Sequence, residues 1–286
     1  MNKRPGVEKL VKNFKAEQIV WNEFMNLHLK KSLEEFGYGS VILDETLAVI
    51  ACLIDALNYL PRDVWPKQRS TQYLFFPNIC ETLICAKDIL FKGFYDESFI
   101  LTRTAFDAVI RIVFISCFPQ SWEAVIVKKP PKGSVQFVMT NFLRDNLKLP
   151  HWVDTWEVQS TMVHGKGFRV GKFMVDAQRA EQANKVSLSL KFDPKGFSVS
   201  MNQINCLCWY TLRLMKILFP VLEMPILDGV RLADSLKERY QTVIEANSEV
   251  MDGMATPILR QTKRDFEKIE RIIVAAESGR DWEQLV

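Results

Sequence analysis

Histidine is scarce in this chain: three in 286 residues, at positions 28, 151 and 164. Their spacing offers no pair of ligands for one ion, so a metal site built on two or three imidazoles is excluded from the reading. Zinc-type Cys-x-x-Cys pairs are missing too. Cys206 and Cys208 stand one residue apart, and no second cluster joins them. Long apolar runs are also lacking, because Asp55, Asp88 and Arg111 interrupt the best of them before the ~18 residues of a membrane span accumulate. The opening stretch MNKRPGVEKLVKNF has no apolar leader segment. Reduced, buried cysteines, a cytoplasmic location and no membrane partner are therefore expected. Net charge is small as well: 37 Lys+Arg against 34 Asp+Glu leave +3, so the whole molecule is no polycation. The sequence contains no G-x-G-x-x-G, P-loop, G-x-S-x-G or H-E-x-x-H motif and no paired-carboxylate motif. No cofactor is implied.

What is present is a hydrophobic fraction of 48%, ample for a core, and helical periodicity almost everywhere. Apolar residues between Leu10 and Lys31 recur at three- and four-residue steps. A turn is expected at Gly37-Tyr38-Gly39, with Ser40 capping a helix that runs from Val41 to about Leu60. An apolar helix starting near Thr71 or Pro77 should end at Phe91, with Gly93 as its C-terminal stop. The next helix, Tyr95 to Cys117, stops at Pro119. So short a link predicts an antiparallel helical hairpin. Phe75, Phe76, Phe91, Phe94 and Phe99 fall at core spacing. KVSLSLKFDPKGFSVS, at 185–200, alternates polar and apolar residues around Asp-Pro-Lys-Gly and reads as a small β-hairpin. A long helix from Ser200 to about Phe219 and two amphipathic C-terminal helices complete an all-α up-and-down bundle with one inserted hairpin.

Charge is unevenly spread. Between Gln120 and Lys172 eight Lys/Arg face four acids, whereas from Val230 onward nine face eleven. The middle of the chain is suited to phosphates, and the C-terminal part to solvated helix faces.

Three constellations could carry chemistry. Arg103, Asp107 and Arg111 stand four apart on one face of an apolar helix. Charges in such surroundings either form a buried network or face an anion with fork-shaped donors. Ser160 and His164 share a face near a helix end, and Lys166, Arg169 and Lys172 follow with no acid between. His164 is then either a backbone cap or a general acid/base in a basic pocket. The third is Arg144–His151, an arginine followed by a polar residue and, seven positions on, a histidine; it is the lesser candidate pair.

The stretch GFYDESFILTRTAFDAVIRIVFI resembles the G-x-x-x-x-A-x-x-L-x-R-x-x-x-E helix of bacterial HEPN-like helical proteins, with Gly93, Arg103 and Asp107 in the matching places. Trp156, Ser160, His164 and Gly165 resemble that set's later Y/W-x-x-x-S-x-x-x-H-G/P helix. Two departures stand out: the acid is Asp, and the contiguous Arg-x₄₋₆-His signature is absent from the His164 helix and imitated only by Arg144–His151. The resemblance implies a bundle in which the Arg and His helices meet. It also implies metal-independent binding or cleavage of RNA, or binding of a nucleotide, in toxin–antitoxin or phage-defence systems. A homodimer and an antitoxin or defence partner protein are the implied partners. On it, Arg103 and His164 are the catalytic candidates, and Asp107, Arg111, Ser160, Lys166 and Arg169 the binding ones. The implied layout is an N-terminal helix over 1–39, a HEPN-like core over 40–220 and a C-terminal helical extension over 221–286. The alternative is a non-catalytic helical scaffold in which the Arg/Asp/His cluster is structural.

Overall fold

The computed structural model describes residues 5–60, 65–126, 141–149, 151–155, 194–220, 241–247, 249 and 257–286. The described residues are almost wholly helical. Helix α1 spans Pro5–Asn58, α2 Lys67–Phe91, α3 Tyr95–Cys117 and α4 Trp122–Ile126. Helix α5 spans Pro194–Leu218 and α6 Pro257–Glu277. A 3₁₀ turn at Pro119–Ser121, a π-helical turn at Phe142–Asn146 and a final 3₁₀ turn at Trp282–Leu285 join them. Among the described residues no helix is long and apolar enough to cross a membrane.

The α2–α3 hairpin forms as the breakers predict. Lys92 ends α2, Gly93 takes φ +90°, and the amides of Gly93 and Phe94 donate back to the carbonyls of Leu90 and Ile89. That is a Schellman closure, which needs a residue at ease in the left-handed region. Gly93 has a second reason to lack a side chain. A Cβ there would lie 2.7 Å from Nδ1 of His28, whose ring sits 4.2 Å from Phe24 and whose Nδ1 is 3.1 Å from the Tyr95 hydroxyl. Trp21 stacks on Phe94 beside them, so this turn carries the N-terminal arm of α1.

Helices α3 and α5 run parallel, since Tyr95 meets Phe197 and Thr102 meets Gln203. Helix α2 opposes α5, with Phe91 on Phe197 and Phe76 on Phe219. Helix α6 follows α5, with Phe266 stacked on Tyr210 and the Glu270 carboxylate on Arg213. One hydrophobic cluster runs from Leu43 through α2, α3 and α5 to Phe266 and Trp282, so α6 and the final turn share the core of the central helices.

Several local expectations change. The bend in α1 falls at Phe36 (φ −127°, ψ 19°), ahead of Gly37-Tyr38-Gly39, and helix resumes at once. At this bend the Phe36 ring packs 4.9 Å from that of Phe197. Helix α2 begins at Lys67, directly after Pro66, and carries Pro77 inside it. The second arm of the expected β-hairpin is the start of α5, and no strand occurs among the described residues. Pro194 suits the first position of a helix, and Phe197, Met201, Ile204 and Cys208, all fully buried, continue at helical spacing. The apparent two-residue alternation was the opening of a 3.6-residue period. Residues 185–193 lie outside the described residues. Four cysteines are buried as expected, and burial pushes the Cys117 and Cys206 thiols up to about 12, but Cys52 and Cys85 are exposed.

Candidate functional site

The charged line of α3 does not present three side chains to one ligand. Arg103 is 5% exposed and forms an ion pair with Asp107, one turn on and about a quarter exposed. Burial draws the guanidinium below its ordinary value, while the hydrogen bond and charge of Asp107 pull it back. Arg111 leaves the line: its Nη1 donates to the Val125 carbonyl at 2.9 Å, tying α3 to the end of α4. The Arg103–Asp107 pair sits next to Thr102, itself buried and 3.4 Å from Gln203 of α5. Ser160, His164, Lys166 and Arg169, with Trp156 and Gly165, lie outside the described residues.

The lesser pair, Arg144–His151, occupies an unusual piece of backbone. After the π-helical turn at Phe142–Asn146, the Leu147 amide reaches back to Phe142 O at 2.9 Å and the Leu149 amide to Leu143 O at 3.0 Å. Lys148, between them, takes φ +50°, the only non-glycine positive φ among the described residues. Single π turns and left-handed non-glycine residues are both uncommon, and both cluster at functional sites. Buried Phe142, Leu143, Leu147, Leu149 and Trp152 anchor this segment from beneath. Anchoring those positions leaves Arg144 and Lys148 exposed and His151 39% exposed.

Helix α6 supplies the other wall. Lys268 Nζ donates to Leu147 O at 3.1 Å and to Val286 O at 3.3 Å, bolting the π turn to the last residues of the chain. Trp282 packs edge-on to both Phe118 and Phe142 in the same place. Burial lowers the Lys268 ammonium, the positive charges of Lys148 and Arg271 lower it further, and Asp265 raises it. Asp265, 11% exposed, sets its Oδ2 3.4 Å from Nδ1 of His151. The contact is long, and neither atom makes a hydrogen bond as the ring stands; such contacts in ligand-free sites often tighten when a substrate arrives. Burial raises the Asp265 carboxyl above its usual range, opposed by His151, Lys268 and Gln261. Beneath His151, Trp152 meets Tyr210 at 5.3 Å and Tyr210 stacks on Phe266 at 4.4 Å, fixing the helical stretch 151–155 against α5 and α6.

The segment thus joins an imidazole in reach of solvent, a shielded carboxylate and a set of cations. It can hold a phosphate and move a proton beside it. Among the described residues no group of three or more His, Cys, Asp or Glu is placed to hold a metal ion. Asp265, Lys268 and Arg271 were not legible as site residues. They belong to an amphipathic helix that reads as solvated surface, and only the tertiary fold brings them to His151. No family model, curated protein or solved structure matches the chain.

Proposed function

We propose that this chain is a HEPN-like helical protein that binds RNA and cleaves it without a metal ion, at the junction of the 141–155 segment with α6. One observation carries the reading: His151, in reach of solvent, stands beside the shielded Asp265, and Lys268 on the next turn of α6 feels the positive charges of Lys148 and Arg271. Like charges so crowded favour a polyanion that relieves their repulsion. In the reaction His151 takes the proton of a ribose 2′-hydroxyl as its oxygen forms a bond to the adjacent phosphorus. The P–O5′ bond breaks, a 2′,3′-cyclic phosphate remains, and the imidazolium returns its proton to the leaving 5′ oxygen. Arg144 and Lys148 stabilise charge on the phosphoryl oxygens. Arg103 and Asp107 then hold α3 in place and do not touch substrate. The Arg144–His151 pattern, secondary in the sequence, becomes the principal pair.

The test is cleavage of an end-labelled single-stranded RNA in chelator by wild type, His151→Ala and Lys148→Ala, with melting temperature recorded for each. The expected result is a loss of cleavage of about 100-fold or more in His151→Ala at unchanged melting temperature, and weaker, more salt-sensitive binding in Lys148→Ala. Wild type that neither binds nor cuts RNA, or a His151→Ala protein as active as wild type, overturns the reading. The scaffold alternative draws on the sealing of Arg103, and it is the conclusion to adopt if wild type is inert.

A further inference from the structure

We infer that Asp265 is a positioning residue that decides which ring nitrogen of His151 is free to react. Neutral imidazole carries one N–H, and the hydrogen bond made by one nitrogen selects the role of the other. Here Nδ1 and the Oδ2 of Asp265 are both shielded from water and face each other at 3.4 Å, while the ring as a whole is 39% exposed. The open surface of the imidazole is therefore on the edge away from Asp265, where Nε2 lies. An ionised carboxylate opposite Nδ1 holds the proton there and leaves the Nε2 lone pair towards solvent, the form a general base needs.

Two neighbours on α6 favour the ionised Asp265 against the burial that opposes it. Lys268, one turn further along α6, supplies positive charge, and the Gln261 side chain, one turn earlier, also favours the ionised carboxylate. The aromatic stack of Tyr210 on Phe266 closes the site from below. The acid that completes the Arg144–His151 pattern thus comes from α6. The catalytic meaning of this arrangement rests on the reading of His151 above; the tautomer does not.

The two are separable by nitrogen NMR on histidine-labelled full-length protein, with His151→Gln assigning the signal among three histidines. At mildly alkaline pH the wild-type ring should carry its proton on Nδ1, and Asp265→Ala should move it to Nε2, the common form of free histidine. In the RNA assay the same variant should lose about 100-fold in kcat with KM little changed, and Asp265→Glu should restore part of both. Circular dichroism confirms that each variant is folded, and the wild-type spectrum, once assigned, is decisive without Asp265→Ala. A wild-type ring protonated on Nε2, or an Asp265→Ala ring unchanged from wild type, overturns the inference. The expected tautomer in a protein that cuts no RNA upholds it and removes only the ribonuclease reading.

Discussion

Helix α3 and the 141–155 segment each set an arginine near an acid or a histidine, and they treat charge in opposite ways. In α3 the guanidinium of Arg103 is sealed, 5% exposed, and answered by a carboxylate on the same helix. In the 141–155 segment the backbone departs from regular helix, its apolar side chains go inward, and Arg144, Lys148 and part of His151 stay outside. A regular apolar helix can keep a charge only by pairing it. An irregular turn with buried anchors can hold charge out to solvent without losing its place. The charged line of α3 is therefore the paired and largely buried one, and the irregular turn is the one that meets solvent.

The sharpest way to break the comparison is Arg103→Ala. Removing the buried partner while Asp107 stays about a quarter exposed should cost about 1–3 kcal/mol in denaturant unfolding, and the double variant Arg103→Met, Asp107→Leu should recover most of it. A cost under 1 kcal/mol would mean that Arg103 is not locked at all. A smaller effect is expected at Lys148, where glycine adopts the left-handed region freely. Lys148→Gly should hold or raise stability by up to about 1 kcal/mol while RNA binding weakens. A clear loss of stability would show that the lysine side chain supports the turn.

The smallest effect concerns pH. The folded-state pKa of Asp265 lies above the ordinary value because of burial. The stability this group contributes is accordingly full in acid, below the ordinary carboxylate range, and is lost as pH rises through its folded value. Asp265→Asn should therefore gain in stability over wild type more at pH 7 than at pH 4, as read from melting curves at both. A gain that is larger in acid would reverse the assigned sign.

Much of the frame was readable because it rests on local signals. Gly93 and Pro119 end α2 and α3 where breakers must, and the short link forces the hairpin. The start of α5 was misread because alternation over a few residues cannot separate period 2 from the opening of period 3.6. The candidate site was half readable. Arg144 and His151 stood out by spacing, but their partners on α6 are distant in sequence and carry no local mark. Nothing in the one-dimensional pattern foretold that Arg111 would spend a donor on the Val125 carbonyl.

Phe197 touches Phe36 at the bend of α1, Phe91 at the end of α2 and Tyr95 at the start of α3. One ring is thus shared by helices whose contacting residues lie far apart along the chain. Seating this ring joins α5 to the earlier hairpin and to the bend, and closing so long a span carries an entropic cost. This corner is thus a non-local joint of the kind that slows folding, whereas the N-terminal arm of α1 is held by the nearer α2–α3 turn.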